Sequence, residues 1–298
     1  MGVDNVKVVN ISKKRFNNLP KLALSKEIIS TEATLYHFDH KNSWHKEQKL
    51  LKKFYVDEGE IFANKLETVN NLIFYRGLLD NGQLVIPDYL VSIGQELVGF
   101  TMPYIEGENL SIIMNRRETS IEDKINYLKQ IGECLEKISL IRKYSTIKDF
   151  YIGDLHEQNI VVDKENNIHI IDLDSCSIAQ NKPFPSRYLV SNKNLHIVAN
   201  KYPKEEDLCI PSEETDLFAY NMMILNTISN GQTNKLNLEE YYEYLNYLDY
   251  LKVNPTLLDS FSKVYCYCPN VNPYESLDSL QNLDPRACLD VFKMCKRK

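Results

Sequence analysis

The chain has 298 residues and a formal net charge of −6 at pH 7, with 35 Lys and Arg against 41 Asp and Glu. So mild a negative charge gives no electrostatic basis for general nucleic-acid binding, and no apolar run approaches the roughly 20 residues that span a bilayer. The first residues lack the basic and then apolar segments of a secretory signal, and the seven scattered cysteines are typical of reduced thiols. We expect a soluble cytoplasmic protein with no nucleic-acid or membrane partner; its oligomeric state stays open.

The first hundred residues are predicted to be rich in strands. β-branched and aromatic residues are frequent in 26–38, and further strands are expected at 49–55, 84–91 and 96–102. Between the second and third of these, apolar residues at positions 61, 62, 66, 69 and 72 repeat with helical spacing.

After the connector 102–107 the pattern changes to long helices. Ser120 and Asp123 form a capping-box-like start, and the apolar positions that follow, up to Ile138, predict a helix of about five turns. A second apolar helix is predicted near Asp216, and the chain from Leu238 onward has helical character. We therefore predict an α+β fold with a strand-rich N-terminal part, a mainly helical C-terminal part and a ligand cleft between them.

The most informative stretch is 151–175. Two short β-type runs, 160–162 and 168–171, predict a tight hairpin, with Asp154 and Asn159 on the loop before it and Asp172 directly after it. Three oxygen-bearing side chains are thus brought close by a short length of chain. Hard oxygen ligands suit Mg²⁺, which is usually held by one or two carboxylates together with phosphates.

This arrangement resembles the protein-kinase-like superfamily, in which an Asp, four residues, an Asn, a hairpin and a second Asp occur in this order. Asp172-Leu-Asp174 stands where Asp-Phe-Gly is usual. Gly153-Asp154-Leu-His156 resembles the catalytic-loop motif of atypical bacterial-type and small-molecule kinases. The resemblance implies a bilobal kinase-like fold. Its antiparallel-sheet N-terminal lobe, 1–104, would bind the nucleotide, and its helical C-terminal lobe, 105–298, would carry the catalytic loop.

The resemblance also implies ATP and Mg²⁺ as cofactors. Asn159 and Asp172 would hold the metal, and Asp154 would accept the proton of the acceptor hydroxyl. His156 would either contact the γ-phosphate or pack within the loop. Asp216 would hydrogen-bond the backbone of the catalytic loop, and this role is compatible with that of a carboxylate favoured by the N-terminus of its helix.

Lys52 is implied to bind the α- and β-phosphates, with Lys53 as the alternative because neighbouring strand residues point to opposite faces. Its acidic partner on the following helix is not evident, since Lys65 falls where a Glu is expected. The candidates are Glu58, Glu60 and Glu67. We choose Glu60, at the start of the helix.

Met102 and Tyr104 are implied to lie at the strand end whose backbone holds the adenine. The Gly-rich phosphate loop has no counterpart in 29–36, where Ser30 and Thr31 are the candidate phosphate contacts and Glu32 would repel phosphates. We expect a protein Ser/Thr acceptor. The alternatives are a small-molecule acceptor of the aminoglycoside or choline type, a nucleotide-binding pseudokinase that acts as a scaffold, and a helical interaction protein without a nucleotide site.

Overall fold

The computed structural model describes a mixed α/β fold, and the parts of the chain that it describes are residues 8–23, 32–38, 48–55, 59–181, 211–229, 236–264 and 271–296. A five-stranded sheet dominates the N-terminal half and helices dominate the C-terminal half. The predicted α+β class and the two-part arrangement of a kinase-like fold are therefore confirmed. No helix in the described ranges combines the length and the apolar character needed to cross a membrane.

The N-terminal sheet has the strand order β1-β4-β5-β3-β2. Its strands are β1 (Val8–Ile11), β2 (Ala33–His37), β3 (Lys49–Phe54), β4 (Tyr89–Ile93) and β5 (Glu96–Pro103). β1 pairs with β4 in parallel, whereas the other neighbours are antiparallel. Gly99 of β5 permits a close approach to β3, because a Cβ there would lie 1.9 Å from the backbone oxygen of Lys52.

Three helices accompany this sheet: α1 (Lys13–Asn17), α2 (Gly59–Phe74) and the short α3 (Arg76–Leu79). The predicted helical spacing in 61–72 is confirmed by α2. Its inner face buries Thr68, Val69 and Leu72 completely, and it also buries Lys65. A lysine on the apolar face of a helix needs a charged partner inside the protein, and this partner belongs to the candidate site.

The C-terminal half contains a second sheet of β6 (Gly107–Asn109), β7 (Ile160–Asp163) and β8 (Ile168–Ile170). Its helices are α4 (Leu110–Asn115), α5 (Ile121–Tyr144), α6 (Glu213–Ile228), α7 (Leu238–Tyr250), α8 (Pro255–Val264) and α9 (Pro285–Cys295). Short 3₁₀ helices occupy Glu157–Asn159, Leu173–Ser175 and Tyr274–Asn282. The predicted hairpin of β7 and β8 is confirmed.

Side-chain caps fix the starts of the two central helices. The Ser120 hydroxyl accepts a hydrogen bond from the Asp123 backbone N–H at 3.0 Å, as the sequence predicts, although α5 continues to Tyr144 and is longer than five turns. Ser212 and Thr215 cap α6 reciprocally, so this helix begins before Asp216. Each such cap supplies partners for backbone N–H groups that the helix itself leaves open.

The main core lies between α5 and α6. Ile131, Met223 and Leu225 are completely removed from solvent, and burying each such side chain stabilises the fold by about 1.5–3 kcal/mol. Tyr220 is also fully buried, and its hydroxyl donates to the Leu128 carbonyl oxygen at 2.8 Å. The first turn of α6 also contacts the backbone of the chain before β7, at Ile152 and Gly153.

Some predicted strand limits in the N-terminal half are wrong. The strand expected at 84–91 begins only at Tyr89, because Pro87 lacks the N–H that a strand interior needs. Leu84 instead forms a single bridge with Ile170 of β8, and this bridge joins the two halves. Of the strand expected at 26–38, the described part is β2, and 24–31 lies outside the described residues.

Candidate active site

Asp216 of α6 holds the loop that precedes β7. Its two carboxylate oxygens accept hydrogen bonds from the backbone N–H groups of Ile152 and Gly153, each at 2.8 Å. This agrees with the predicted contact of Asp216. Gly153 has φ of +74°, and a Cβ there would lie 2.8 Å from Pro211 Cγ, so conformation and space both favour glycine. The following residue, Asp154, is thereby held at a fixed place.

Asp154 and Asn159 lie in direct contact across the loop. The Asn159 side-chain nitrogen donates to the Asp154 backbone oxygen at 3.0 Å and to Asp154 Oδ2 at 3.2 Å. The other carboxylate oxygen, Oδ1, is buried and accepts no hydrogen bond from the described residues. It faces His156 Nε2 at 3.6 Å. Asp154 therefore retains an oxygen that could accept a hydrogen bond from a ligand.

His156 has a defined orientation. The backbone N–H of Gln158 donates to His156 Nδ1 at 3.2 Å, so Nε2 carries the proton of the neutral ring. That nitrogen lies 3.6 Å from Asp154 Oδ1, too far for a hydrogen bond. His156 therefore places an N–H donor near the Asp154 carboxylate, within the loop.

Asp172 follows the β7–β8 hairpin closely. The Ile171 backbone N–H donates to the Asn159 carbonyl oxygen at 2.9 Å, which places Asn159 next to this segment. Asp172 has φ of +64°, a left-handed conformation that costs a non-glycine residue about 1–2 kcal/mol. Its side chain is 41% exposed and forms an ion pair with Lys52. The hairpin thus holds Asp172 at the mouth of the site.

Lys52 is the lysine of β3 that faces these acids. Its side chain is 7% exposed, and its Nζ pairs with Asp172 and lies 2.6 Å from Asp174 Oδ2. Burial lowers the pKa of Lys52, but the charges of the two carboxylates outweigh burial and raise it above the ordinary value. The neighbouring Lys53 lies near the Phe16 ring, with Nζ 6.0 Å from the ring centroid. Only the first of these two strand lysines therefore contacts the acids.

The choice of Glu60 as the partner of Lys52 is corrected by the structure. The ion pairs of Lys52 with described residues go to Asp172 and Asp174. Glu60 lies in the first turn of α2 and is exposed, whereas Lys65, further along the helix, faces inward. Lys65 pairs with Glu32, and its Nζ lies 3.3 Å from Asp174 Oδ1. The position of Lys65 within an apolar stripe is the sequence signal for this inward orientation.

Asp174 is a functional candidate that sequence reasoning missed. It is 1% exposed and lies between Lys52 and Lys65, which come from different elements. Burial opposes its ionisation, but the two lysine charges outweigh burial and lower the pKa of Asp174 to about 2. Asp174 is therefore an anion at neutral pH.

The strand end proposed for adenine is the end of β5, which pairs with the strand of Lys52. Met102 is buried and packs with the cluster that contains Leu50 and Phe100. The Tyr104 backbone N–H is already used, because it donates to the Gln48 carbonyl oxygen at 2.9 Å. The next N–H, that of Ile105, makes no backbone hydrogen bond with the described residues. Ile105 thus has a backbone donor within the predicted adenine-binding stretch, although Met102 and Tyr104 were the residues chosen from it.

The candidate phosphate contacts Ser30 and Thr31 lie outside the described residues. Glu32, expected to repel phosphates, is neutralised by its ion pair with Lys65. Of the described residues on either side of 24–31, the Leu22 N–H donates to the Leu35 carbonyl oxygen at 2.9 Å.

The oxygen donors of the site fit Mg²⁺ rather than a metal held by protein alone. In the described ranges, no three His, Cys, Asp or Glu side chains are grouped to hold a metal ion. Asn159 uses its side-chain nitrogen on Asp154, which leaves its amide oxygen for a cation. With one carboxylate from Asp172, this is the small set of hard ligands that Mg²⁺ combines with waters and phosphates.

Comparison with known proteins gives partial similarities to protein kinases. Over 93 residues, 31% of this chain, the sequence is 30% identical to the dual specificity protein kinase zakA of Dictyostelium discoideum. Over 159 residues, 52% of this chain, it is 24% identical to a probable serine/threonine-protein kinase of the same organism. No family model matches the chain. These similarities support a protein-kinase-like relationship and, in general terms, a phosphotransferase.

The aligned regions are small parts of these relatives. They cover 11% of the dual specificity kinase and 9% of the second kinase. The substrates and partners of the present chain are therefore matters for proposal.

Proposed function

We propose that this protein transfers the γ-phosphoryl group of ATP, in the presence of Mg²⁺, to a hydroxyl group of an acceptor. The observation that carries the proposal is the ion pair between buried Lys52 of β3 and Asp172, next to the contact of Asp154 with Asn159. Phosphoryl transfer requires mainly positioning and neutralisation of charge, which these groups supply together.

The nucleotide would lie between the proposed N-terminal lobe, 1–104, and the proposed C-terminal lobe, 105–298, because Lys52 of the first contacts Asp172 and Asp174 of the second. Lys52 would leave part of its pairing with Asp172 to bind the α- and β-phosphates of ATP. Asn159 and Asp172 would hold Mg²⁺, which when bound neutralises phosphate charge and aligns the triphosphate. The adenine would lie against Met102 and accept a hydrogen bond from the Ile105 N–H.

Asp154 would bind the acceptor hydroxyl through Oδ1 and take its proton. This oxygen is buried and has no hydrogen-bond partner among the described residues, and an unsatisfied buried acceptor is costly without a ligand. His156 Nε2–H would stabilise the carboxylate or donate to the γ-phosphate. Asn159 would keep Asp154 oriented through its two hydrogen bonds.

The acceptor is proposed to be a Ser or Thr of a protein. Support comes from the two similar proteins, of which one is a dual specificity protein kinase and the other a probable serine/threonine-protein kinase. A small-molecule acceptor and a pseudokinase without turnover are the alternatives, and both are outcomes of the same experiment.

The test is incubation with γ-labelled ATP and Mg²⁺, followed by mass spectrometry to locate the label on the protein itself, on added proteins or on small molecules. In D154N we expect transfer to fall by about 100-fold or more, because the base is lost. K53E is the matched control, since Lys53 does not contact the acids. Equal transfer by wild type and D154N would contradict the role of Asp154, and no transfer by wild type would favour the pseudokinase.

A further inference from the structure

Two ammonium groups lie at one aromatic ring inside the candidate site. Lys52 Nζ lies 5.7 Å and Lys65 Nζ 5.6 Å from the centroid of the Phe54 ring. The two side chains are 7% and 6% exposed. Like charges removed from water repel each other strongly unless an anion lies between them. This pair therefore requires a buried counter-charge.

Asp174 supplies that counter-charge, with one oxygen for each lysine. Its Oδ2 lies 2.6 Å from Lys52 Nζ, and its Oδ1 lies 3.3 Å from Lys65 Nζ. Each lysine has a second acidic partner, Asp172 for Lys52 and Glu32 for Lys65, but these carboxylates are 41% and 34% exposed. Asp174 is 1% exposed, so among these three carboxylates it is the one whose charge solvent does not screen.

The three groups come from three elements. Lys52 lies on β3, Lys65 on α2, and Asp174 on the short 3₁₀ helix that follows β8. The contact therefore joins the N-terminal sheet and its helix to the C-terminal half. The usual arrangement in kinases is a direct ion pair between the strand lysine and a helix glutamate. Here the helix carries the cation, and the acid comes from the position where a glycine is usual.

We propose that Asp174 is the positioning residue of Lys52 and that Lys65 balances the charge of Asp174. In this charge-reversed link the helix residue is a cation, whereas in the usual strand-to-helix pair it is an acid. The role of this link in catalysis rests on the proposed function. When Asp172 turns to a cation, Lys52 keeps Asp174 as its partner and stays directed at the phosphates. Asp174 thus acts through Lys52 and need not touch the reacting atoms.

The reversal predicts that two individually harmful substitutions compensate each other. K65E places a third acid beside Asp174 and Asp172, and D174G leaves the two ammonium groups facing each other. In K65E/D174G, a helix carboxylate faces Lys52 and the repulsion is removed. Independent roles for the two residues would instead make the losses add.

The experiment measures kcat and KM for ATP, and the thermal unfolding midpoint without nucleotide, for wild type, K65E, D174G, K65E/D174G and the control K53E. We expect each single variant to lower kcat/KM for ATP by about 100-fold, mainly through KM, and the double variant to regain about 10-fold or more. The midpoint should fall in both single variants and rise again in the double variant. K53E should behave like wild type.

A double variant as poor as the product of the two single losses would overturn the proposal, as would single variants with unchanged midpoints and KM. The unfolding midpoint needs no turnover, so the compensation is measurable even if wild type transfers no phosphate. In that case the proposed function fails while the charge-reversed link is still tested. If the substitutions only impaired folding in general, the midpoint of the double variant would not rise above those of the single variants.

Discussion

The buried carboxylate of Asp216, which contacts the loop before β7, combines a structural role with pH dependence. Asp216 is 3% exposed and receives two backbone N–H groups. Burial disfavours its charge, and although the backbone hydrogen bonds act against this, the pKa of Asp216 is raised to about 6. The folded protein therefore binds a proton here at a pH at which the unfolded chain has lost it.

The first prediction concerns the stability of D216N across pH. The unfolded pKa is near 3.8 and the folded pKa about 6, so the contribution of Asp216 to the free energy of unfolding falls as pH rises through this window. The fall is on the order of 3 kcal/mol. D216N lacks this titration. Urea unfolding of both proteins from pH 4 to pH 7 should show the wild-type advantage decreasing, and a constant difference would contradict the prediction.

A second prediction concerns Gly153. G153A adds a methyl group at a positive φ and 2.8 Å from Pro211 Cγ, so we expect the free energy of unfolding to fall by more than the roughly 1–2 kcal/mol of the conformation alone. G82A is the matched control, since Gly82 has φ of +79° and nothing lies within 4 Å of its added Cβ. Urea unfolding compares the two variants. Equal losses would show that contact with Pro211 adds nothing.

At the scale of elements, local signals explain which parts of the fold could be predicted. The spacing in α2, the cap of α5 and the two β-runs of the hairpin are contained in short windows, and these elements formed as predicted. β1 was missed, because a strand of four residues has little pattern of its own and depends on pairing with β4, some 80 residues away. The start of β4 was misplaced for a different reason, since Pro87 lacks the N–H that a strand interior needs.

The candidate site likewise contains residues that a local pattern predicts and residues that it does not. Asp154, Asn159 and Asp172 lie within one short segment, so their spacing alone predicted their neighbourhood. Lys65 and Asp174 are separated by 109 residues, and no local pattern joins them. The partner of Lys52 was therefore wrongly placed on Glu60.

The cap of α6 leads to a third prediction, because this helix carries Asp216 in its first turn. S212A removes the hydroxyl that accepts from the Thr215 N–H at 3.2 Å, and we expect a loss of about 0.5–2 kcal/mol in the free energy of unfolding. S212N keeps a capping oxygen and should lose less. Thermal unfolding measures both variants. A loss in S212N as large as that in S212A would argue that the cap is not the cause.

At the scale of the whole molecule, a ligand held between the two halves should stabilise both at once. Mg²⁺-ATP at about 100 times its Kd should raise the free energy of unfolding by roughly 2.7 kcal/mol. In D172N the carboxylate at the mouth of the site is lost, so the part of this gain that requires Mg²⁺ should disappear. Thermal unfolding with ATP and either Mg²⁺ or a chelator checks this. Full Mg²⁺-dependent stabilisation of D172N would remove Asp172 from the cation site.

The pairing of β1 with β4 has a consequence for handling the protein. Residues 8–11 occupy the hydrogen-bonding side of β4 that β5 leaves open. A chain trimmed to start after Ile11 would present that side as a bare row of amide and carbonyl groups, a template on which another copy could add a strand. Trimming for crystallisation or for tag placement should therefore spare this short leading segment, or self-association will be mistaken for a native oligomer.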